Sequence, residues 1–167
     1  MFVLRVFSRV EAAAVIAQAS DSPLWSAATV NAAHDVDPSV RDAELLAEQA
    51  HPHARVYRDR LAVITERIAG VLAPKSTLAE VHLVRYRTGG RYVDHRDTPL
   101  EGGTPRALSI LCYLNDDFQG GATAFPDLDF AFEPVAGTAI VFPPAYLHRA
   151  EPIVSGEKYV ITAWYHV

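Results

Sequence analysis

The chain has 167 residues, which suffices for one domain with a full hydrophobic core and is too short for two comfortable ones. Half of the residues are hydrophobic and 21% are charged, and the net charge of −5 argues against nucleic acid or an anionic membrane as a partner. Cys112 is the only cysteine. An internal disulfide and a zinc site built on thiolates are therefore excluded, which leaves His, Asp and Glu as metal ligands.

The chain begins with a predicted strand and a predicted helix. The segment "MFVLRVF" alternates like a strand, and Ser8 with Glu11 three residues later forms a capping box for a helix over residues 9–19. Glu11 also interrupts the early apolar run that a secretory signal requires, and no stretch of the sequence reaches a transmembrane length. We therefore expect a cytoplasmic protein.

Two further helical segments are predicted before the middle of the chain. The segment 40–51 predicts a helical turn or two, and residues 55–72 predict a longer helix that ends before Pro74. Seven residues at helical spacing are expected to form the broad apolar face of that helix: Val56, Leu61, Val63, Ile64, Ile68, Val71 and Leu72.

After Pro74 the sequence changes to short strands separated by turns. The main strand segments are "AEVHLVRYR", "RYVDHRD", "RALSILCYL", "ATAFPD", "FAFEPVAG", "TAIVFPP" and "KYVITAWYHV". Helices first and strands afterwards predict a single α+β domain over residues 1–167. In it, a helical support region (residues 1–75) carries a β-sandwich or barrel (residues 76–167).

The segment "RYVDHRD" places a histidine and an aspartate two residues apart, which is the side-chain repeat of a strand. Strict alternation puts Val93, His95 and Asp97 on one face, and Tyr92, Asp94 and Arg96 on the other. Such a pair alone is weak, since a polar strand edge facing water produces it too. His148, late in the sheet, would complete the two-histidine, one-carboxylate set of non-haem iron oxygenases, which leaves coordination positions open.

Lys158 stands at the start of the otherwise apolar last strand, where alternation gives it Val160, Thr162 and Trp164 as neighbours on one face. An unpaired ammonium that points inward is costly, so an inward Lys158 predicts an anionic partner. The alternative is an exposed lysine at a strand start.

From about Val81 to its end, the chain resembles the 2-oxoglutarate and Fe(II)-dependent dioxygenases of the prolyl 4-hydroxylase type. Four motifs in order carry this resemblance: "YRTGGRYVDHRD", "LSILCYLNDDFQGGATAFP", "PVAGTAIVFP" and "LHRAEPIVSGEKYVITAWY". The resemblance implies a double-stranded β-helix, which is a jelly-roll-like sandwich with helices on one side. It also implies hydroxylation of an unactivated C–H bond with release of succinate and CO2. The implied cofactors are Fe(II) and 2-oxoglutarate with O2, and ascorbate is a candidate reductant.

The resemblance further implies roles for seven residues. His95, Asp97 and His148 match the iron ligands, and Lys158 matches the residue that binds the distal carboxylate of 2-oxoglutarate. Tyr86 and Thr123 match positions that help to hold this co-substrate, and Trp164 matches an aromatic residue that lines the pocket. The sequence departs from the pattern at Ala122, Arg149 and Glu151, and these departures concern the substrate rather than the iron.

Several alternatives stay open. One is a metal-binding, cupin-like β-sandwich that acts as an isomerase or a ligand-binding module without oxygenase activity. Nucleic-acid demethylation is disfavoured by the acidic charge, and halogenation by the presence of Asp97. We expect the substrate to be a small molecule, an amino acid or a prolyl unit of a short peptide rather than a folded protein. The sequence does not predict the oligomeric state.

Four other features have simpler expected roles. His51 and His53 in "HPH" are expected to lie in a solvated loop rather than in a second metal site. Cys112 is expected to pack as a small buried hydrophobe. Arg41 could be a surface charge or a substrate contact, and the surface role is favoured. The loop over residues 98–106 could be a connector or an edge of the active-site mouth.

Overall fold

The computed structural model describes residues 1–30, 35–48, 54–98 and 104–167. In these ranges the chain forms two α-helices, α1 (Arg9–Ala19) and α2 (Ala54–Leu72), one 3₁₀ turn (Pro126–Leu128) and fourteen strands. The strands are β1 (Phe2–Arg5), β2 (Ser26–Ala27), β3 (Arg41–Asp42), β4 (Glu44–Ala47), β5 (Thr77–Tyr86), β6 (Arg91–His95), β7 (Arg106–Tyr113), β8 (Gln119–Gly120), β9 (Thr123–Phe125), β10 (Phe130–Phe132), β11 (Thr138–Phe142), β12 (His148–Ala150), β13 (Ile153–Ser155) and β14 (Lys158–His166).

Helix α1 begins where its capping box predicts. The Ser8 Oγ accepts a hydrogen bond from the Glu11 amide at 3.2 Å, and the Glu11 carboxylate accepts one from the Ser8 amide at 2.7 Å. These two bonds satisfy amides that have no partner within the helix. The predicted helix over residues 9–19 is confirmed at both ends.

Helix α2 is also confirmed, but the predicted apolar face is partly wrong. Val56, Val63 and Val71 are 68%, 70% and 80% exposed. The residues of α2 that are buried lie three or four positions apart on the opposite side: Ala54, Tyr57, Leu61, Thr65 and Ala69. The predicted face is partly wrong because four of the five buried residues, all except Leu61, lie outside it, and the valines could not be distinguished from core residues by hydrophobicity alone.

Two antiparallel sheets form the body of the protein. The larger sheet has the strand order β1-β11-β7-β14-β5-β4-β2, and the smaller one has the order β10-β9-β12-β6-β3. Strands β8 and β13 form a separate pair. This arrangement confirms the predicted α+β class with a double-stranded β-helix core.

The last strand, β14, lies in the middle of the larger sheet, between β7 and β5. Successive residues of β14 pack into different layers, because the side chains of a strand point alternately to its two faces. Ile161 and Tyr165 pack into the core that includes residues of both helices. Val160 packs into a second core that includes residues of both sheets. One strand therefore contributes to the helix-side core and to the space between the sheets.

The segment 40–51 was predicted to be helical, and this prediction is wrong where the structure describes it. Residues 41–42 and 44–47 form β3 and β4. Strand β4 pairs with β5 through Leu46 and Leu83, and both of these side chains are fully buried. The composition of "AELLAEQA" favours a helix, but tertiary pairing with β5 overrides local propensity. The region 1–75 therefore contributes strands as well as supporting helices.

Two of three smaller expectations can be compared with the structure. Cys112 is fully buried, as expected. His51 and His53 lie outside the described residues, so their role stays a prediction. Within the described ranges, neither helix combines the length and the apolar character that a membrane crossing requires.

Candidate active site

Pairing between β6 and β12 brings the three predicted metal ligands together. His148 opens β12 and lies directly opposite His95, the last residue of β6. Their ring centroids are 4.1 Å apart. Asp97 follows two residues after β6 ends, and one candidate ligand atom from each of the three residues lies within 4.8 Å of the others. The structure thus assembles this trio from two neighbouring strands and the turn that follows one of them.

Hydrogen bonds fix the orientation of both imidazole rings. The Nδ1 of His95 lies 2.8 Å from the Val93 carbonyl oxygen, and the Nδ1 of His148 lies 3.0 Å from the Tyr146 carbonyl oxygen. A carbonyl oxygen only accepts, so each Nδ1 carries a proton, and in the neutral ring the lone pair is then on Nε2. A backbone partner of this kind is typical of histidines that bind metals.

The third group, Asp97, faces both free ring nitrogens. Each Nε2 lies 3.7 Å from a carboxylate oxygen of Asp97, which is longer than a hydrogen bond and leaves space between the donors. The Ser109 hydroxyl donates to Asp97 Oδ2 at 2.7 Å and orients the carboxylate.

Burial and mutual charge set the protonation states of His95 and Asp97. Burial, together with the charge of His148, lowers the pKa of His95 to about 4, although the charge of Asp97 opposes this change. Burial alone would raise the pKa of Asp97, but His148, His95 and the Ser109 hydrogen bond lower it overall. At neutral pH the site therefore offers a neutral imidazole at His95 and an anionic carboxylate at Asp97. Two imidazole nitrogens and one carboxylate suit Fe(II), so this donor set fits the metal.

Strict alternation along β6 fails at one point. Tyr92 was predicted to face away from His95, but the two rings stack with centroids 3.6 Å apart. On β12, positions 148 and 150 pair with positions 95 and 92 of β6, so β6 contains one extra residue. Such a bulge shifts the phase of the side chains. Tyr92 therefore joins the site, and Val93, predicted to share a face with His95, is 37% exposed.

A cavity of about 900 Å³ lies beside the trio, and all seven predicted site residues line it. They are Tyr86, His95, Asp97, Thr123, His148, Lys158 and Trp164. Val160 and Thr162 line it as well, so the predicted common face of Lys158, Val160, Thr162 and Trp164 is confirmed. The volume lies within the usual range for sites that bind small ligands.

Lys158 is a buried cation inside this cavity. It is only 2% exposed, and its Nζ donates to the Gly121 carbonyl oxygen at 2.6 Å. Its Nζ also lies 5.5 Å from the centre of the Tyr86 ring and 5.3 Å from that of Tyr113. No carboxylate of the described ranges forms an ion pair with it, and burial lowers its pKa to about 7. An anionic ligand would supply the missing partner.

Tyr113 is a site residue that the sequence did not reveal. Its hydroxyl donates to Thr123 Oγ1 at 2.8 Å, which links β7 to β9 inside the cavity. The residue is fully buried. Alternation along "RALSILCYL" places it on the same side as Ser109 and Leu111, and this was the available signal.

Charged residues at the cavity rim mostly neutralise one another. The departures Arg149 and Glu151 pair with each other at 2.7 Å, and Arg149 also reaches Asp94 at 3.3 Å. The third departure, Ala122, is a buried residue next to Thr123.

Arg41 lies in the cavity, so the favoured surface role is wrong. Its guanidinium stands over the Tyr92 ring at 4.8 Å, and the residue is 9% exposed. Pairing of Arg41 with Tyr92, across β3 and β6, places it there. A short strand with no hydrophobic pattern gives no sequence signal for such burial.

Comparison with known proteins identifies the family. The model of the 2OG-Fe(II) oxygenase superfamily matches residues 81–166, more than half of the chain, and the chain belongs to this superfamily. A putative prolyl 4-hydroxylase of Acanthamoeba polyphaga mimivirus is 32% identical over 112 residues, which cover 55% of this chain and 46% of that protein. The chain thus spans about half the length of this curated relative.

Two solved structures show the same fold. The viral collagen prolyl hydroxylase vCPH from Paramecium Bursaria Chlorella virus-1, in a 2OG complex, superimposes with a TM-score of 0.79 at 22% identity, covering 99% of this chain and 95% of that one. A prolyl hydroxylase from Trichoplax adhaerens, in complex with a hypoxia inducible factor peptide fragment, gives 0.79 at 18% identity, covering 99% and 82%.

These comparisons confirm the predicted family, its prolyl 4-hydroxylase-like character and the cofactors Fe(II) and 2-oxoglutarate. Membership of the superfamily favours an oxygenase over the cupin-like alternative. Ascorbate as reductant and a cytoplasmic location stay predictions.

Proposed function

We propose that this protein is an Fe(II)- and 2-oxoglutarate-dependent hydroxylase that acts on an unactivated C–H bond and releases succinate and CO2. One observation carries the proposal. Two imidazoles and a carboxylate converge in the same cavity as a buried ammonium that forms no ion pair with a carboxylate of the described residues, and the more distant charge of Glu133 does not offset its burial. A metal site with open positions and a separate anion site are what binding of a keto acid to iron requires.

We assign the metal to the Nε2 atoms of His95 and His148 and to the carboxylate of Asp97. Bound there, Fe(II) would supply the oxidative chemistry with 2-oxoglutarate and O2. The chain's own contribution is position and charge. Ser109 holds the carboxylate, and backbone carbonyl groups hold both imidazoles in the tautomer that can bind.

The co-substrate end of the cavity is assigned to Lys158. Its ammonium would bind the distal carboxylate of 2-oxoglutarate through a charge-assisted hydrogen bond. Tyr86 and Tyr113 lie against this ammonium, and the Tyr113 hydroxyl holds Thr123 at the same wall. Val160 and Leu111 line the cavity and exclude water, which strengthens the electrostatic interactions inside it.

The substrate is proposed to be a small molecule, an amino acid or a prolyl unit of a short peptide. The cavity volume of about 900 Å³ supports a compact ligand beside the co-substrate. The Trichoplax neighbour was solved with a peptide fragment, which supports an accessible mouth for short chains in this fold.

Succinate formation from 2-oxoglutarate is the test. The purified chain is incubated with Fe(II), 2-oxoglutarate and a panel of amino acids, short proline-containing peptides and intact lysate protein, and stimulated succinate release is measured. Asp97→Ala should abolish both Co(II) binding, followed by absorption spectroscopy, and succinate release. Asp94→Ala is the matched control, because Asp94 lies three residues away and, among the described side chains, forms an ion pair with Arg149 alone.

Two results would contradict the proposal. Metal binding that depends on Asp97 without any conversion of 2-oxoglutarate would favour the cupin-like alternative. Stimulation by intact protein alone would reject the small substrate and leave the hydroxylase assignment intact.

A further inference from the structure

Four arginines line the cavity, and three of them are paired with a carboxylate. Arg96 binds Asp127 at 2.9 Å. The guanidinium of Arg106 binds Glu80 at 3.0 Å, and that of Arg149 binds Glu151 at 2.7 Å. The fourth arginine, Arg41, has no ion pair with any described carboxylate.

Arg41 is nevertheless nine-tenths buried. One guanidinium nitrogen donates to the Thr29 carbonyl oxygen at 3.0 Å, and the Nε hydrogen has no acceptor among the described residues. A buried guanidinium that keeps its charge without an anion is expensive. The guanidinium also hydrogen-bonds the Tyr86 hydroxyl, which is a neutral partner, and it lines the cavity. The counter-charge that it lacks could therefore come from an anionic ligand in the cavity.

The position of Arg41 places it close to the proposed metal site but separate from the co-substrate end. The guanidinium of Arg41 and the imidazole of His95 both contact the ring of Tyr92, whose centre lies 4.8 Å from the guanidinium carbon and 3.6 Å from the centre of the imidazole. Tyr86 is near both cations: the ammonium of Lys158 lies 5.5 Å from its ring, and the charge of Arg41 opposes the rise that burial causes in the pKa of its hydroxyl. The cavity thus contains two cations that lack an anion, and 2-oxoglutarate accounts for one of them.

We propose that Arg41 binds a carboxylate of the prime substrate, and that the substrate is therefore a small carboxylic acid, such as a free amino or imino acid or a peptide that ends close to the reacting carbon. This inference rests on the proposed function. A guanidinium presents a planar fork of donors that matches a carboxylate. Since Arg41 and His95 contact the same ring, the carboxylate and the C–H bond that reacts must lie within one compact molecule or terminal residue.

Pairs of ligands that differ only in this charge provide the test. Proline, other amino acids and short peptides ending in proline are each used as the free acid and as the carboxyl-terminal amide. Binding is measured by calorimetry to protein loaded with Ni(II) and 2-oxoglutarate, which prevents turnover, and succinate release is measured separately with Fe(II). We expect at least one acid to bind ten-fold or more tightly than its amide.

Variants then locate the cause of this preference. Arg41→Gln should remove the preference for the acid, and Arg41→Lys should retain part of it. Arg91→Gln is the matched control, because Arg91 lies on the neighbouring strand, one residue from the partner of Arg41, and does not line the cavity. It should keep the preference. If Arg41→Gln does not fold, the comparison of acids with amides on the unaltered protein still decides.

Three results would overturn the inference. These are amides that bind as well as acids, an acid preference that survives Arg41→Gln, and a panel in which no acid binds. The proposed function fails separately: it fails only if the Fe(II)-loaded protein converts no 2-oxoglutarate, with or without a second substrate.

Discussion

Replacing Lys158 by methionine should stabilise the ligand-free protein while weakening its binding of 2-oxoglutarate. Methionine fills a similar volume without a charge, so Lys158→Met removes a buried ammonium that has no carboxylate partner among the described residues. It also removes the donor to the Gly121 carbonyl oxygen. The two changes have opposite effects on stability, and their magnitudes decide the sign.

The cost of the charge follows from its pKa. Burial lowers the pKa of Lys158 from 10.5 to about 7. At ~1.4 kcal/mol per pKa unit, the protonated amine costs roughly 5 kcal/mol of folding free energy. A carbonyl that loses its donor costs about 1–3 kcal/mol. We therefore expect Lys158→Met to raise the free energy of unfolding by about 2–4 kcal/mol below pH 7.

The gain should depend on pH. Between pH 7 and 10.5 the unfolded chain keeps the lysine proton while the folded protein has lost it, so the stability of the unaltered protein rises with pH. The full cost is present below pH 7 and is relieved towards pH 10.5. The advantage of Lys158→Met should therefore shrink as the pH rises through this window.

Urea unfolding at pH 6 and pH 9, without metal or 2-oxoglutarate, measures both effects. Lys75→Met is the control, because Lys75 is exposed and is the only other lysine. Calorimetry on the Ni(II)-loaded protein should show at least ~10-fold weaker binding of 2-oxoglutarate to Lys158→Met, since a charge-assisted hydrogen bond contributes more than 1.4 kcal/mol. A variant that is equally destabilised at both pH values, or that binds 2-oxoglutarate normally, would refute the reasoning.

Three further substitutions test the site. His148→Ala should abolish Co(II) binding and succinate release, and normal metal affinity would contradict the assignment. Ser109→Ala frees the Asp97 carboxylate from its 2.7 Å hydrogen bond and should weaken metal binding by about 10–100-fold in a Co(II) titration, whereas an unchanged affinity would show that packing alone orients Asp97. Gly121→Ala should destabilise the protein by about 1 kcal/mol or more in urea unfolding, because Gly121 has a φ of 71° and a Cβ would lie 2.4 Å from Ile153. A stability within error of the unaltered protein would show that Ile153 can move aside.

The sequence predicted the site wherever chemistry and strand periodicity coincide. His95 and Asp97 are two residues apart, and Lys158 is the one charged residue at the start of an apolar strand. Each of these features can therefore be recognised from a few consecutive residues. Helix α1 was predictable for the same reason, since its capping box lies within four residues.

What the sequence did not predict depends on distant pairing. The bulge that turns Tyr92 towards His95 exists only because β12 pairs with β6. Burial of Arg41 likewise requires β3 to join the edge of the smaller sheet. The exposed valines of α2 are the opposite case, in which a sequence pattern was present but misleading. Hydrophobic residues at helical spacing do not show which side of the helix packs against the rest of the protein.

The two halves of the cavity rest on strands that differ in how readily they can open. Lys158 belongs to β14, which has a partner strand on each side, and amides in such a position exchange with solvent mainly on global unfolding. Arg41 belongs to a two-residue strand at a sheet edge, with one neighbour, where local opening costs far less. Slow exchange in β14 and fast exchange in β3 would follow. Substitutions in the edge strand β3 could then change the substrate preference in related proteins. They would leave β14, which carries the co-substrate residue Lys158, unaffected.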